Sequence, residues 1–462
     1  MSLTKQRPLR RVRGGRAISL TRPEIEYILS MRKQKQHDAE IRHGASRGAS
    51  HDHVHPPGDR FLATLARMLH EAGTPAHQLE GLVTSCAQRL GMSVAIFSLP
   101  TWINITVEDG EDQRTVNLRV DPGSPKLALL EGTYRVADRV ACGELDAPGG
   151  TAALRGVRAS LHKPGALTLC IAYALFSAGA ARFLGGDGDE MLAALPVGFA
   201  LGVLLKFASR RRERELLGEF GGACVSTILA AIIVRWMMSM GMDPSLRVVS
   251  LAGLVTLLPG LSLATAMSEL STRNLASGSA RLIGAITTLA VVGMGAAIGD
   301  KCVALVHLVG EGTPVIPSLV PQAFDMTLAI ALVSIAIGLS IVFQCKPKRT
   351  PLVFASCIIG FAATKVGRDT IGVEFAPVVA AAAVGIIGNL YARLRRQPTL
   401  VIVLPGIALL LPGSLGFRGI QDIFATDTLA GLNTAVSALV VAASIAAGLL
   451  IANAVLPSPR HV

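Results

Sequence analysis

The sequence predicts an α-helical polytopic membrane protein: about ten transmembrane helices arranged as two inverted five-helix repeats, preceded by a small cytoplasmic α+β domain. Three observations carry this expectation. The 462-residue chain has a mean hydropathy of +0.50, with 51% apolar and only 16% charged residues, a balance suited to lipid. Apolar runs long enough to cross a hydrocarbon core follow one another from Gly165 onward. The same punctuation, Leu-Leu-Pro-Gly, occurs inside two of them, at Leu257–Gly260 and Leu410–Gly413.

Taken in order, the chain opens with a basic arm, 1–59. Its first 50 residues hold twelve Lys or Arg against four Asp or Glu, with few aromatics, and read as disordered. A solvated tail and contact with anionic lipid head groups both account for it. A nucleic-acid reader would need a folded module or interleaved aromatics, so no nucleic acid is expected. No apolar stretch follows the arginines, so neither a signal peptide nor a twin-arginine signal is expected. His51, His53 and His55 alternate as chelators do, but ordering them in a polar arm costs entropy, and neither metal nor cofactor is expected. The seven cysteines are scattered without a CxxC, which argues against a disulfide framework or a zinc site.

Residues 60–162 have globular composition. Phe61, Leu62, Leu65 and Leu69 keep helical periodicity up to Gly73, and a second helix runs from Pro75 to Leu90. Val94–Phe97 and Ile103–Val107 read as strands, and Asp109-Gly110 is a turn into a third strand, Thr115–Val120. Helices at Lys126–Cys142 and near Thr151–Ser160 lead to the membrane. His70, His77, Glu80, Cys86 and Asp109 are the chemically able residues, but none has the spacing of a nucleophile elbow, phosphate loop or metal helix, and no enzyme activity is expected.

Membrane-length segments are expected at Gly165–Phe183, Met191–Phe207, Glu219–Met238, Arg247–Met267 and Ala276–Gly299, forming a first repeat, 163–300. An external loop, 301–325, separates it from a second repeat, 326–462, with segments at Met326–Phe343, Pro351–Thr364, Phe375–Leu394, Leu400–Phe417 and Leu429–Leu456. Basic clusters fall on alternate loops: Arg210, Arg211, Arg212 and Arg214; then Arg273; then Lys346, Lys348 and Arg349; then Arg393, Arg395 and Arg396. Basic residues stay on the cytoplasmic side, so both termini are expected in the cytoplasm of a multi-pass inner-membrane protein.

The repeat suggests chemistry. An odd number of crossings per repeat inverts the second copy, and Pro/Gly-broken helices at matching places in inverted halves mark secondary transporters. A second anchor is Glu219-Phe220 and Glu374-Phe375, 155 positions apart where the Pro-Gly pairs are 153 apart. Proline removes a backbone hydrogen bond, and the freed groups are tolerated where they line a cavity. The half-helix that follows presents N–H groups and a dipole to a carboxylate. Pro259, Gly260, Ser262, Pro412, Gly413 and Ser414 are therefore the expected substrate-binding set, with Asn389 as a further polar position inside a span; a packing kink is the plainer alternative. Glu219 and Glu374 are the expected proton-coupling acids, their alternative being interfacial helix caps.

Gly73-Thr74-Pro75-Ala76-His77-Gln78-Leu79-Glu80, then Arg89-Leu90-Gly91-Met92, then Leu99-Pro100-Thr101-Trp102-Ile103, followed by five plus five spans, resemble the threonine/serine exporter family over roughly 60–456. The motifs are short; their order is the specific signal. The resemblance implies a proton-motive-force-driven exporter with both halves fused in one chain. Expected partners are then a small-molecule substrate, protons and membrane lipids, with a homo-oligomer as a further option. A dicarboxylate exporter is the alternative, with Arg235, Lys365 and Arg368 as cations; a membrane-tethered hydrolase is a rival for which no catalytic pair is found.

Overall fold

The computed structural model describes residues 56–109, 112–121, 124–208, 215–306, 325–410, 412–424 and 428–457. Residues 1–55 of the expected basic arm, with its three alternating histidines, the Arg210–Arg214 cluster, and 307–324 of the expected external loop lie outside the described residues.

The first domain, termed the α/β domain, has an α+β arrangement. Helices α1 (Pro57–Glu71) and α2 (Ala76–Arg89) each stop where glycine takes a positive φ, +79° at Gly73 and +75° at Gly91, which a side chain would resist. Strands β1 (Ser93–Leu99), β2 (Trp102–Asp109) and β3 (Asp112–Arg119) form an antiparallel meander with Ile105 opposite both Ile96 and Val116. Ile103, Ile105 and Val107 alternate onto one face and are buried against the helices. Helix α3 (Leu127–Ala141) follows. Helix α4 (Ala147–Ala159) starts earlier than the sequence suggests, because the Asp146 carboxylate accepts from the Gly149 N–H at 2.8 Å and Pro148 fits the first turn.

Among the described residues, twelve α-helices follow: α5 (Ala166–Phe183), α6 (Gly188–Ala208), α7 (Glu215–Ser239), α8 (Leu246–Leu254), α9 (Gly260–Ser271), α10 (Leu275–Leu305), α11 (Met326–Val342), α12 (Thr350–Ile371), α13 (Ala376–Arg395), α14 (Leu400–Ala408), α15 (Pro412–Phe424) and α16 (Thr428–Val455). Eight stretches among the described residues are long and apolar enough to cross a membrane, α14 and α15 counting together; α11 is shorter, at 17 residues, and α8 and α9 are two short helices in line. Their outer faces expose Leu167, Ile171, Phe199, Ile283, Ile330 and Leu450, as lipid contact requires. The protein is a helical polytopic membrane protein. Helix α10 carries through Asp300 and Lys301 to Leu305, past the expected boundary at 300, since charges at a span's rim reach water without ending the helix.

Small residues set the helix spacing. A methyl at Gly338 on α11 would meet the Ala172 carbonyl oxygen of α5 at 2.9 Å. Methyls at Gly295 on α10 and Gly448 on α16 would strike the carbonyls of Phe220 on α7 and Val378 on α13.

The α/β domain docks on the membrane helices at two places. At the first, the buried Glu269 near the end of α9 accepts from the Ala76 N–H (2.9 Å), the Ser277 hydroxyl (2.8 Å) and the Arg281 guanidinium (3.0 Å). At the second, the Leu127 N–H donates to the Phe343 carbonyl at 2.8 Å and the Ala128 N–H to the Gln344 carbonyl at 3.2 Å. Glu131 reinforces it, pairing with Arg349 at 2.7 Å and Lys346 at 3.4 Å. Burial works to raise the Glu131 pKa, but the Arg349 hydrogen bond and the two cations outweigh it and hold the carboxyl below its usual range.

Candidate functional site

Each Leu-Leu-Pro-Gly stretch falls at a helix break, whereas Pro196 and Pro405 lie inside α6 and α14. Helix α8 ends at Leu254, the chain turns through Val255–Leu258 with Leu257 N–H on the Leu254 carbonyl (2.8 Å), and α9 restarts with Leu263 N–H on the Pro259 carbonyl (2.9 Å). Helix α14 ends at Ala408, Leu410 N–H bonds the Ile407 carbonyl (2.9 Å), and α15 restarts at Pro412. The α8–α9 pair runs toward the α/β domain, where Glu269 anchors it, while α14 packs on α3 of that domain and α15 runs away. The two breaks are therefore antiparallel, and they touch. A Cβ on Gly413 would lie 2.9 Å from the Gly260 nitrogen and 3.1 Å from its Cα.

A cavity of about 160 Å³ opens at this junction. Pro259, Gly260, Ser262, Gly413 and Ser414, five residues of the expected set, line it with Thr256, and Phe176, Leu339 and Phe343 supply apolar wall. Pro412 begins the half-helix behind Gly413. The N-termini of α9 and α15 converge here, so two helix dipoles favour negative charge at one place. Thr256 was not singled out by its sequence; its Oγ1 is buried with no hydrogen-bond partner among the described residues. The available signal was a lone hydroxyl three positions before a helix-breaking proline.

A second cavity of about 60 Å³ lies on the far side from the α/β domain, lined by Phe183, Phe361, Thr364, Arg368 and Val441, the two phenyl rings packing edge to face at 5.8 Å. The second break stands between the cavities: Ala408, Gly413 and Ser414 face the first, and Leu409, Leu410 and Leu415 the second.

The remaining expected residues lie elsewhere. Asn389 donates to the Asn453 side chain (2.9 Å) and the Leu456 carbonyl (2.7 Å), fastening α13 to α16. Glu219 sits one turn inside α7 with a buried carboxylate oxygen, whereas Glu374 is exposed in the turn before α13; neither lines either of these two cavities. Of the three cations considered for a dicarboxylate, Arg368 lines the second cavity and Arg235 is exposed.

In the α/β domain the chemically able side chains are held in structural contacts. His70 Nε2 lies 2.9 Å from the Pro100 carbonyl, and burial, then the Arg281 charge, lower its pKa. His77 faces Thr272 at 3.5 Å, and burial lowers its pKa against the pull of Glu269. Glu80 accepts from the Ser98 N–H at 2.8 Å, and burial raises its pKa. The Cys86 thiol, against the Ala137 carbonyl, is pushed up to about 12 by burial. No cluster of three or more metal-ligating side chains occurs among the described residues.

Two family models match. One, described as a threonine/serine exporter, covers residues 60–302; the other, "Threonine/Serine exporter, ThrE", covers 322–455. A curated relative, the threonine/serine exporter of Corynebacterium glutamicum, is 23% identical over 283 residues, 61% of this chain and 57% of the relative. Pheromone-regulated membrane protein 10 of Saccharomyces cerevisiae (strain YJM789) is 24% identical over 368 residues, 77% of this chain and 46% of the relative. The chain thus spans about half the length of these curated relatives. No solved structure matches the chain. With the first family model covering more than half of its length, this protein belongs to the threonine/serine exporter family.

Proposed function

We propose that this protein is a ten-span secondary transporter that exports small polar carboxylate metabolites, threonine and serine first among them, across the inner membrane in exchange for protons. The observation that carries the reading is the backbone contact between Gly260 and Gly413, which places two antiparallel helix breaks at one cavity. Family membership supports the substrate class.

The inverted-repeat reading draws support from packing. Counting the broken pairs α8–α9 and α14–α15 as single spans leaves five in each half, and the neighbours recur: α7 with α10 as α13 with α16, α6 with α8 as α12 with α14, and α9 with α10 as α15 with α16. In this reading the substrate carboxylate takes the N–H groups at the starts of α9 and α15. Its ammonium takes carbonyls freed by the break and the Thr256 hydroxyl. Cavities on either side of the second break correspond to the two accesses. The basic loops support a cytoplasmic α/β domain. The two expected coupling acids differ in setting: partial burial suits Glu219 to proton exchange, and the exposure of Glu374 does not. The dicarboxylate reading keeps one observation in its favour, Arg368 in the wall of the second cavity.

Counterflow in proteoliposomes with labelled threonine, serine and succinate tests the proposal. Accumulation of threonine or serine is expected; accumulation of succinate alone would select the dicarboxylate reading, and no accumulation of any would reject transport of these solutes. Under an imposed pH gradient, Glu219→Gln is expected to lose uphill movement while retaining exchange, and unchanged gradient-driven transport would remove Glu219 from the coupling role.

A further inference from the structure

The α/β domain lines neither cavity, yet both of its attachments are made to elements that help wall the larger one. Glu269, which holds the first residue of α2, lies on the same helix as Gly260, about 14 Å along it at 1.5 Å per residue. The Phe343 carbonyl, which holds Leu127, belongs to a residue whose side chain is itself cavity wall. Helix α9 precedes the long loop between the halves and α11 follows it. The domain therefore bridges the two halves of the membrane region across the cavity, on its own side.

The two anchors differ in chemistry. Helix α2 has Pro75 at its N-cap and no side-chain cap of its own; the Gln78 and Leu79 N–H groups reach the Pro75 carbonyl, and the leading Ala76 N–H has no acceptor within the helix. Glu269, 193 residues away in the chain, supplies the missing acceptor and a charge that suits the helix dipole. It is fully enclosed, and its Arg281 partner is only 13% exposed. Water and salt have little access to this anchor. At the other, the Glu131 carboxylate is enclosed, but its three cations reach water, Arg349 being 33%, Lys346 45% and Arg135 55% exposed, and long cations at a wet surface exchange partners readily.

We propose that the α/β domain is a strap joining the two halves: it travels with α9 through Glu269, and it releases α11 at Phe343 and Glu131 each time the cavity opens on the domain side. Glu269 and Glu131 are thus positioning residues that act on the substrate through α9 and α11. The proposal rests on the transport reading, and its test separates the two.

Ala128 and Gln344 lie one backbone hydrogen bond apart, within reach of a disulfide. Cysteines placed at both, in full-length protein carrying Cys345→Ser and reconstituted in proteoliposomes, would lock the releasable anchor on oxidation. Oxidation is expected to slow threonine exchange at least about tenfold and reductant to restore it, with threonine binding unchanged within about threefold. Undiminished exchange by fully oxidised protein would overturn the strap. Failure of the reduced protein and its parent to exchange threonine, serine or succinate would overturn the transport reading and the strap with it. Point variants supply a second arm. Glu131→Gln, which loosens the anchor that must release, should raise exchange about threefold, and Glu269→Gln should lower turnover about tenfold with KM nearly constant. The reverse order of effects would overturn the assignment of the two anchors.

Discussion

A methyl group added at Gly413 would meet the Gly260 backbone at 2.9 Å, and neither main chain can yield without moving a half-helix. Overpacking of this kind costs about 1–3 kcal/mol. Gly413→Ala is therefore expected to cut counterflow at least about tenfold, whereas Gly284→Ala, where an added Cβ meets nothing within 4 Å, should transport at the parental rate. Initial rates in proteoliposomes, normalised to inserted protein, decide between them. His70 and His77 give a pH dependence at the same scale. His70 faces Arg281, Glu269 and Glu71; His77 faces Glu269 and Thr272. Burial lowers both pKa values in the folded protein, so the unfolded chain binds more protons as pH falls below its ordinary histidine range. Their contribution is present above about pH 6.5 and is lost as pH falls from there toward the lowered folded values. Melting temperature in detergent should drop with acidification across that window, and His77→Gln should flatten the drop.

At the scale of elements, the proposed substrate site is built on two half-helices, each beginning at a proline or directly after one. Pro259→Ala or Pro412→Ala restores an N–H donor and permits a continuous helix, which costs nothing in insertion but removes free groups from the cavity. Each should insert normally while losing most exchange; parental rates with normal expression would dismiss the breaks as kinks. These elements were legible beforehand because proline and glycine act locally, and apolar length announces a span wherever its neighbours lie. What could not be read depended on remote partners. Asn389 looks available for substrate until Asn453, 64 positions on, takes its amide. Glu269 resembles an ordinary rim acid, since nothing near it in sequence reveals Ala76 as its partner. Glu219 and Glu374 share a dipeptide and a place in their halves, but one is set inside a helix and the other in a turn, a difference local pattern does not encode.

For the molecule as a whole, orientation is the property with the widest reach, because it decides which cavity faces the cytoplasm. The basic loops Lys346–Arg349 and Arg393–Arg396 share a side with the α/β domain, while Asp187 lies in the turn beyond α5 on the other. A membrane-impermeant thiol reagent should label Asp187→Cys in intact cells and Lys348→Cys only after permeabilisation. The opposite pattern would reverse the topology and put the second cavity, not the first, on the cytoplasmic side.

The distant cap of α2 also sets an order of assembly. Ala76 emerges from the ribosome 193 residues ahead of Glu269, roughly 10–40 s earlier at about 5–20 residues per second. During that interval the first turn of α2 has no acceptor for its leading amide, and the nascent α/β domain is left with one frayed corner. Only when α9 and α10 have been threaded into the bilayer, bringing Glu269 to Arg281 and Ser277, does that corner close. Maturation of the soluble part is thereby made to wait for successful insertion of the first half. Hydrogen exchange at the start of α2 would report it, slow in the finished protein and fast in Glu269→Ala.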